Sequence, residues 1–427
     1  MTLIYNPNQL KLLSNNQRRQ PAPTTYRFNT EQIRPSDIDF ITEKIYEELA
    51  ALDAASSGGG TGNIVYVNSS SGNDGTGARG DSTLPFSTLG AARDAAIAGD
   101  TIQVALGTYN TNNANLGKDL VNWHFEFGAT VQAETTAPIW QDTANGYNVT
   151  GSADFSNGGL QSPYLIFLNQ PNSKVNIKCR SIRGQYTTAV AWIVNSGLGK
   201  SIEADVEIRN LETGNNGRLF YLQGSGAGDI NIKSPLLENN VQALGQTGTT
   251  GEQGSILSCS GSTYDINVES ENMINPTSAS LASLVYGRTG FAGKLTIKGN
   301  FTKNFNSFSF TNGVISHQGG EIEHTGNINT VNGTCYYANN LGVVEVFKHV
   351  SGVYTSDVGN AIRFHDCLAR TAQFDGEYIS GNIQSLSLSG NFTGTIVDMG
   401  RENPFKLRNT NGGGRGIIKN STSWTLN

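Results

Sequence analysis

Three aspartates fall at one place in a recurring tetrad: Asp205-Val206-Glu207-Ile208, Asp229-Ile230-Asn231-Ile232 and Asp265-Ile266-Asn267-Val268. If these tetrads are strands stacked in register, Asp205, Asp229 and Asp265 form a carboxylate ladder with rungs roughly 5 Å apart. Glu207 and Glu269 lie nearby in the same outward register. Paired carboxylates on that scale are what retaining glycoside hydrolysis uses, one as nucleophile and one as acid. A like-charged neighbour raises the pKa of the acid. A cation bridging the ladder is a second possibility. The plainer reading is that the outer side of a strand must be polar and that Asp beside a turn costs little. These three are the candidate catalytic residues. No cofactor is implied.

The other reactive residues are scattered. His124, His317, His324, His349 and His365 make no metal-ligand spacing. His365-Asp366 imitates part of a triad, but neighbours on a strand point to opposite faces. Cys179, Cys259, Cys335 and Cys367 form no C-x-x-C and read as small apolar fillers. Gly72-Asn73-Asp74-Gly75-Thr76-Gly77 lacks the lysine of a phosphate loop. Tyr186, Trp192, Tyr221, Tyr286, Tyr336 and Tyr337 are candidates for stacking on sugars, with core filling as the alternative.

The element that must position these residues is a repeat. The tetrad also occurs as Lys174-Val175-Asn176-Ile177 and Lys294-Leu295-Thr296-Ile297, with weaker copies at Glu321-Ile322-Glu323-His324 and Val343-Val344-Glu345-Val346. The mean spacing is about 28 residues, inside the band that marks solenoids. Each tetrad alternates polar and apolar, the period of a half-buried strand. A second apolar run precedes most copies, as at Ala189–Val194, Leu219–Leu222 and Cys335–Ala338. The repeats contain no helical pattern. A parallel β-helix follows, an all-β fold, with Val206, Ile230, Ile266 and Leu295 facing inward in columns. An antiparallel sandwich is the alternative.

Composition agrees. The 427 residues include 51 glycines, only 15% are charged, and the net charge is −6. That charge disfavours nucleic acid as a partner. The first twenty residues lack the apolar core of a signal peptide, and no stretch is long enough for a membrane span.

Four parts are expected along the chain. Residues 1–35 are polar and Asn/Gln-rich, an extended anchoring segment. Residues 36–62 hold a short helix, with Ile38, Ile41, Ile45, Leu49 and Leu52 as one apolar stripe, followed by a Gly-rich hinge. Such a stripe needs cover, from the β-helix or from copies of itself in a trimer. Residues 63–128 cap the β-helix: a strand at Ile64–Val67, a Gly/Asn/Asp loop, then a helix from Leu89 to Ala98 with Ser87 or Thr88 as N-cap and Gly99 as its stop. Residues 129–427 form the rod, irregular at first between Ala129 and Tyr164.

Residues 63–110 carry a resemblance. Tyr66-Val67-Asn68, the loop at 72–77, Pro85-Phe86-Ser87-Thr88, Ala91-Ala92, Gly99-Asp100-Thr101-Ile102 and Gly107-Thr108-Tyr109 resemble the start of single-stranded right-handed β-helix proteins of the pectin-lyase-like type. Such starts are frequent in bacteriophage fibres and spikes. The resemblance implies a virion appendage: residues 1–57 attach to other virion structural proteins, the assembly is a homotrimer, and the rod contacts host-surface polysaccharide. A polysaccharide lyase or glycoside hydrolase on the same scaffold is the enzymatic alternative, and a rod without ligand is the third.

Overall fold

The structure is a computed structural model and describes residues 63–420, apart from gaps at 113, 195–197, 213–216, 225, 242–252, 262, 277–282, 306–312, 340–342 and several short segments beyond 356. Beyond residue 338, side chains are described only at a few positions. The expected anchoring segment, striped helix and hinge lie outside the described residues.

Residues 57–427 form one unit, and the described part is a parallel β-solenoid. Every strand pairing is parallel, each strand hydrogen-bonded to its counterparts one coil away. The coil has three faces. Face 1 carries the tetrads; it begins at Ile64–Val67 and Thr101–Val104 and continues through Ala227–Lys233 and Glu321–Thr325. Face 2 follows at once, as at Leu236–Asn239 and Ile328–Val331. In Val175–Tyr186, Lys200–Asn210, Thr263–Asn275 and Lys294–Asn304 a single strand runs across both faces. Face 3 is an 11-stranded sheet that starts at Trp140–Gln141 and ends at Leu407–Asn409. The second apolar runs of the sequence are these face 3 strands.

Alternation explains the core. On face 1, Val175, Ile230, Ile266, Leu295, Ile322 and Phe347 occupy one inward column, and Ile177, Ile202, Ile232, Val268 and Ile297 the next. All are buried. Each such side chain contributes roughly 1.5–3 kcal/mol.

Two tetrads were misplaced by reading the sequence alone. Ile230 pairs with Lys200, so the face 1 strand of that coil is Lys200-Ser201-Ile202. Asp205 and Val206 sit at the corner between faces 1 and 2, and Val206 is 50% exposed, not inward. A register shift after Cys179 accompanies this corner. Likewise Ile322 pairs with Phe347, three residues beyond the expected Val344. Faces 1 and 2 both alternate, so a tetrad pattern also arises where one face hands over to the next.

The face 1–2 corner needs glycine farther along. Gly326 and Gly352 have φ of +137° and +114°. A Cβ on either would lie 2.1 Å from the carbonyl oxygen of the glycine one coil below, Gly299 or Gly326. Only glycine meets both demands.

The capping helix spans Leu89–Ala95 and stops short of the expected Ala98, because Ala96 is already extended. Thr88 Oγ1 accepts from the Ala91 N–H at 3.2 Å, and Leu89 and Ala92 join the core. Asp100 ties this region together, accepting from Arg79 at 2.6 and 2.7 Å and from the backbone of Asn63 and Ile97. The stretch expected to be irregular, 129–164, winds regularly through strands on all three faces.

Candidate functional site

The solenoid brings together only part of the expected carboxylate ladder. Asp229 and Asp265 are paired on adjacent coils, both exposed. The next two coils place Lys294 and Glu321 in that column. Lys294 Nζ lies 3.2 Å from Glu321 and 3.4 Å from Glu323. Hydrogen bonding to Glu321 holds the lysine above its ordinary pKa, against the opposing effect of burial. Asp205 is separated from this column by the misplaced tetrad. Glu207 lies on face 2 opposite Ser181 and Leu236, not beside Glu269.

Elsewhere face 1 avoids stacked like charges. Lys178, Glu203, Lys233, Glu269 and Lys298 alternate in sign along one outward column. Like charges directly opposite on neighbouring strands are destabilising, and Asp229–Asp265 breaks that pattern. Stacked outward asparagines join them: Asn176 donates to Asn148 at 2.8 Å and Asn267 to Asn231 at 3.1 Å.

The aromatic candidates divide by burial, since Tyr286 and Tyr337 share the face 3 column of Tyr221 through Ser258 and Ser316. Tyr186, Tyr286, Tyr336 and Tyr337 are buried and unavailable for stacking on a ligand. Trp192 and Tyr221 are half-buried on the outer side of face 3. Phe167, Trp192 and Tyr221 share one outward column over three consecutive coils. Their centroids are 5.6 and 5.9 Å apart. Tyr164 extends the patch, 5.0 Å from Phe167 and 5.6 Å from Trp192. The Arg218 guanidinium lies over Tyr221 at 4.2 Å. Tyr164 and Phe167 were missed in the sequence; their signal was that Phe167 sits centrally in Ile166–Leu168, whose flanking residues are buried.

The remaining polar chemistry is interior. Lys200 occupies an inward column between Val175 and Ile230. Its Nζ meets Asp142 Oδ2 at 3.2 Å and the Ser173 carbonyl at 2.7 Å, and it also bonds Ser173 Oγ. Both charged side chains are fully buried. Burial lowers the lysine pKa, opposed by Asp142. On face 2, Asn210, Asn239 and Asn275 form an inward amide column that bonds turn carbonyls such as Tyr186, Gly217 and Val241. Lys303 takes the next rung and donates to Asn275 Oδ1 at 3.1 Å.

Cys179, Cys259 and Cys335 are buried and free, as expected of fillers. The side chains of His349 and His365, and the residues Asp366 and Cys367, lie outside the described set. Among the described residues no group of three or more acidic, His or Cys side chains could hold a metal, and no helix is long and apolar enough to cross a membrane.

No protein family, no curated protein and no solved structure matches this chain. The fold and its outer surface define a parallel β-solenoid with an aromatic patch on one face.

Proposed function

We propose that this chain is a bacteriophage appendage protein whose β-solenoid binds host-surface polysaccharide through the outer aromatic patch of face 3. The observation that carries the binding reading is the alignment of Phe167, Trp192 and Tyr221 on three consecutive coils, with Tyr164 and Arg218 at its margin. A ladder of half-buried rings offers amphipathic area with little conformational freedom to lose. The appendage reading is supported by the resemblance of residues 63–110 to β-helix starts in fibres and spikes. Attachment through residues 1–57 and homotrimeric assembly belong to the same reading.

The experiment is titration of wild type and a Trp192→Ala/Tyr221→Ala variant against a panel of capsular and O-antigen polysaccharides. Binding to at least one, weakened tenfold or more in a variant with an unchanged circular dichroism spectrum, supports the proposal. Equal binding by both proteins contradicts the patch. The enzymatic alternative has one favouring observation, the exposed Asp229–Asp265 pair. It predicts release of reducing ends or unsaturated sugars from the same panel, abolished by Asp229→Asn.

A further inference from the structure

The aromatic patch of face 3 has a direction and a fixed length. Phe167, Trp192 and Tyr221 follow one another on three consecutive coils. The rung before Phe167 is Gln141. The rung after Tyr221 is Ser258, and from there through Tyr286, Ser316 and Tyr337 the column is buried. Three half-buried rings are therefore what this column offers, set along the solenoid axis at a coil step of roughly 4.8 Å. A long molecule that crosses the coils meets all three. One that lies along a strand meets a single ring, because the outward residues two positions on from Trp192 and Tyr221 are Val194 and Gln223.

Charge narrows the ligand further. The five face 3 strands around the patch are Trp140–Gln141, Ile166–Leu168, Ala189–Val194, Arg218–Gln223 and Leu257–Ser260. They contain one charged residue, Arg218. Its guanidinium is engaged over the Tyr221 ring. Face 1 is the opposite case, with Lys178, Glu203, Lys233, Glu269 and Lys298 in one outward column. A carboxylate carried onto Phe167 or Trp192 would lose hydration with no cation in the column to replace it. An uncharged sugar has no such loss. The Gln223 amide beside the rings donates and accepts, as sugar hydroxyls do.

Resting on the reading of this patch as a glycan site, we propose what the site selects. Its ligand is an uncharged three-sugar stretch of a linear polysaccharide laid along the solenoid axis, one sugar on each of Phe167, Trp192 and Tyr221. A pyranose linked through opposite sides of its ring advances by about one coil step, so successive sugars meet successive rings. The rings have few side-chain torsions to freeze, which keeps the entropic cost of each contact low.

The test uses the full chain and the polysaccharide that binds best in the capsular and O-antigen panel, cut into oligosaccharides of two to six sugars. Affinities are measured by calorimetry. Binding should tighten about three- to tenfold from two sugars to three, the scale of one aromatic contact, and by less than about twofold per sugar beyond that. It should change less than about twofold between 50 and 500 mM sodium chloride, because neutral contacts are not screened. Phe167→Ala, Trp192→Ala and Tyr221→Ala should each weaken the four-sugar fragment about three- to tenfold with an unchanged circular dichroism spectrum. Should a variant not fold, the wild-type length and salt series decide alone. This inference is overturned by affinity that is flat with length or still climbing at six sugars, by a tenfold loss across the salt range, by a response to one ring only, or by fragments that do not bind at all. In each of those cases loss of polymer binding in Trp192→Ala/Tyr221→Ala still upholds the patch. Equal polymer binding by that double variant defeats the patch itself.

Discussion

The coils of residues 121–155 and those of residues 294–356 share one backbone plan and fill it with different chemistry. In the first, Trp123, Phe125, Trp140, Tyr147 and Phe155 form a continuous aromatic cluster with centroid separations of 5.5–6.3 Å. The ionisable group in that cluster is the Tyr147 phenol, which burial pushes up; His124 lies on the same coils, buried, with Nδ1 3.1 Å from Thr150 Oγ1. In the second, His317, His324 and Lys303 occupy inward positions, all buried. The difference teaches that a solenoid core need not be uniform. Each coil answers only to its neighbours, so stability and its pH dependence are set locally.

The acidic groups sharpen the contrast. Near the start, burial works against charge on Asp100 and Asp154, but hydrogen bonds outweigh it and hold both below the ordinary carboxylate value. Arg79 and Ile97 supply them for Asp100, and Arg180 and Ser181 for Asp154. Such groups contribute above the unfolded value and lose that contribution only as the pH drops through the folded one. Their window therefore lies below about 3.9. Burial pushes His317 and His324 down to about 4 from an ordinary 6.5. A base lowered on folding contributes fully above the unfolded value and loses that contribution as the pH falls toward the folded one, so the histidine window lies above the carboxylate window.

Among substitutions that leave the chain able to fold, the largest expected effect is at the interior ion pair of Asp142 and Lys200. Asp142→Ala leaves Lys200 charged and buried and should cost about 3–5 kcal/mol, read as a lowered urea midpoint. The double change Asp142→Leu/Lys200→Met should recover most of it. Next comes acidification. Between pH 6.5 and about 4 each of His317 and His324 should contribute a loss of about 3 kcal/mol, visible in urea melts at stepped pH. Lys303→Met should stabilise the later coils at pH 7 by about 1–3 kcal/mol. Burial lowers that amine to about 7, so the neutral form is preferred and the gain should fade as the pH rises toward the ordinary lysine value. Val206→Asp is the smallest, within about 0.5 kcal/mol, because Val206 faces solvent; the same change at Ile230, one coil on, should abolish soluble expression.

The solenoid was legible because face 1 repeats an alternating tetrad and face 3 a short apolar run, and these survive without knowledge of contacts. The capping segment was legible from Thr88, the alanines and Gly99. The register was not. Asp205 looked equivalent to Asp229 because corner residues alternate like strand residues, and Lys200 hid the true inward position behind a charge that Asp142 compensates. That partner is fifty-eight positions away, beyond any local pattern. Half of the aromatic patch was legible: Trp192 and Tyr221 were named, but Tyr286 and Tyr337 fall in the same face 3 column and are buried, a difference that the strand pattern alone does not carry.

The most direct test of this asymmetry follows unfolding with two probes at pH 7 and at about pH 5, in a Trp424→Phe background. The remaining tryptophans, Trp123, Trp140 and Trp192, report the early coils, and far-ultraviolet circular dichroism reports all strands. At pH 7 the two urea transitions should lie close together; at pH 5 the dichroism should begin to fall well before the fluorescence. Transitions that coincide at both pH values would contradict the account.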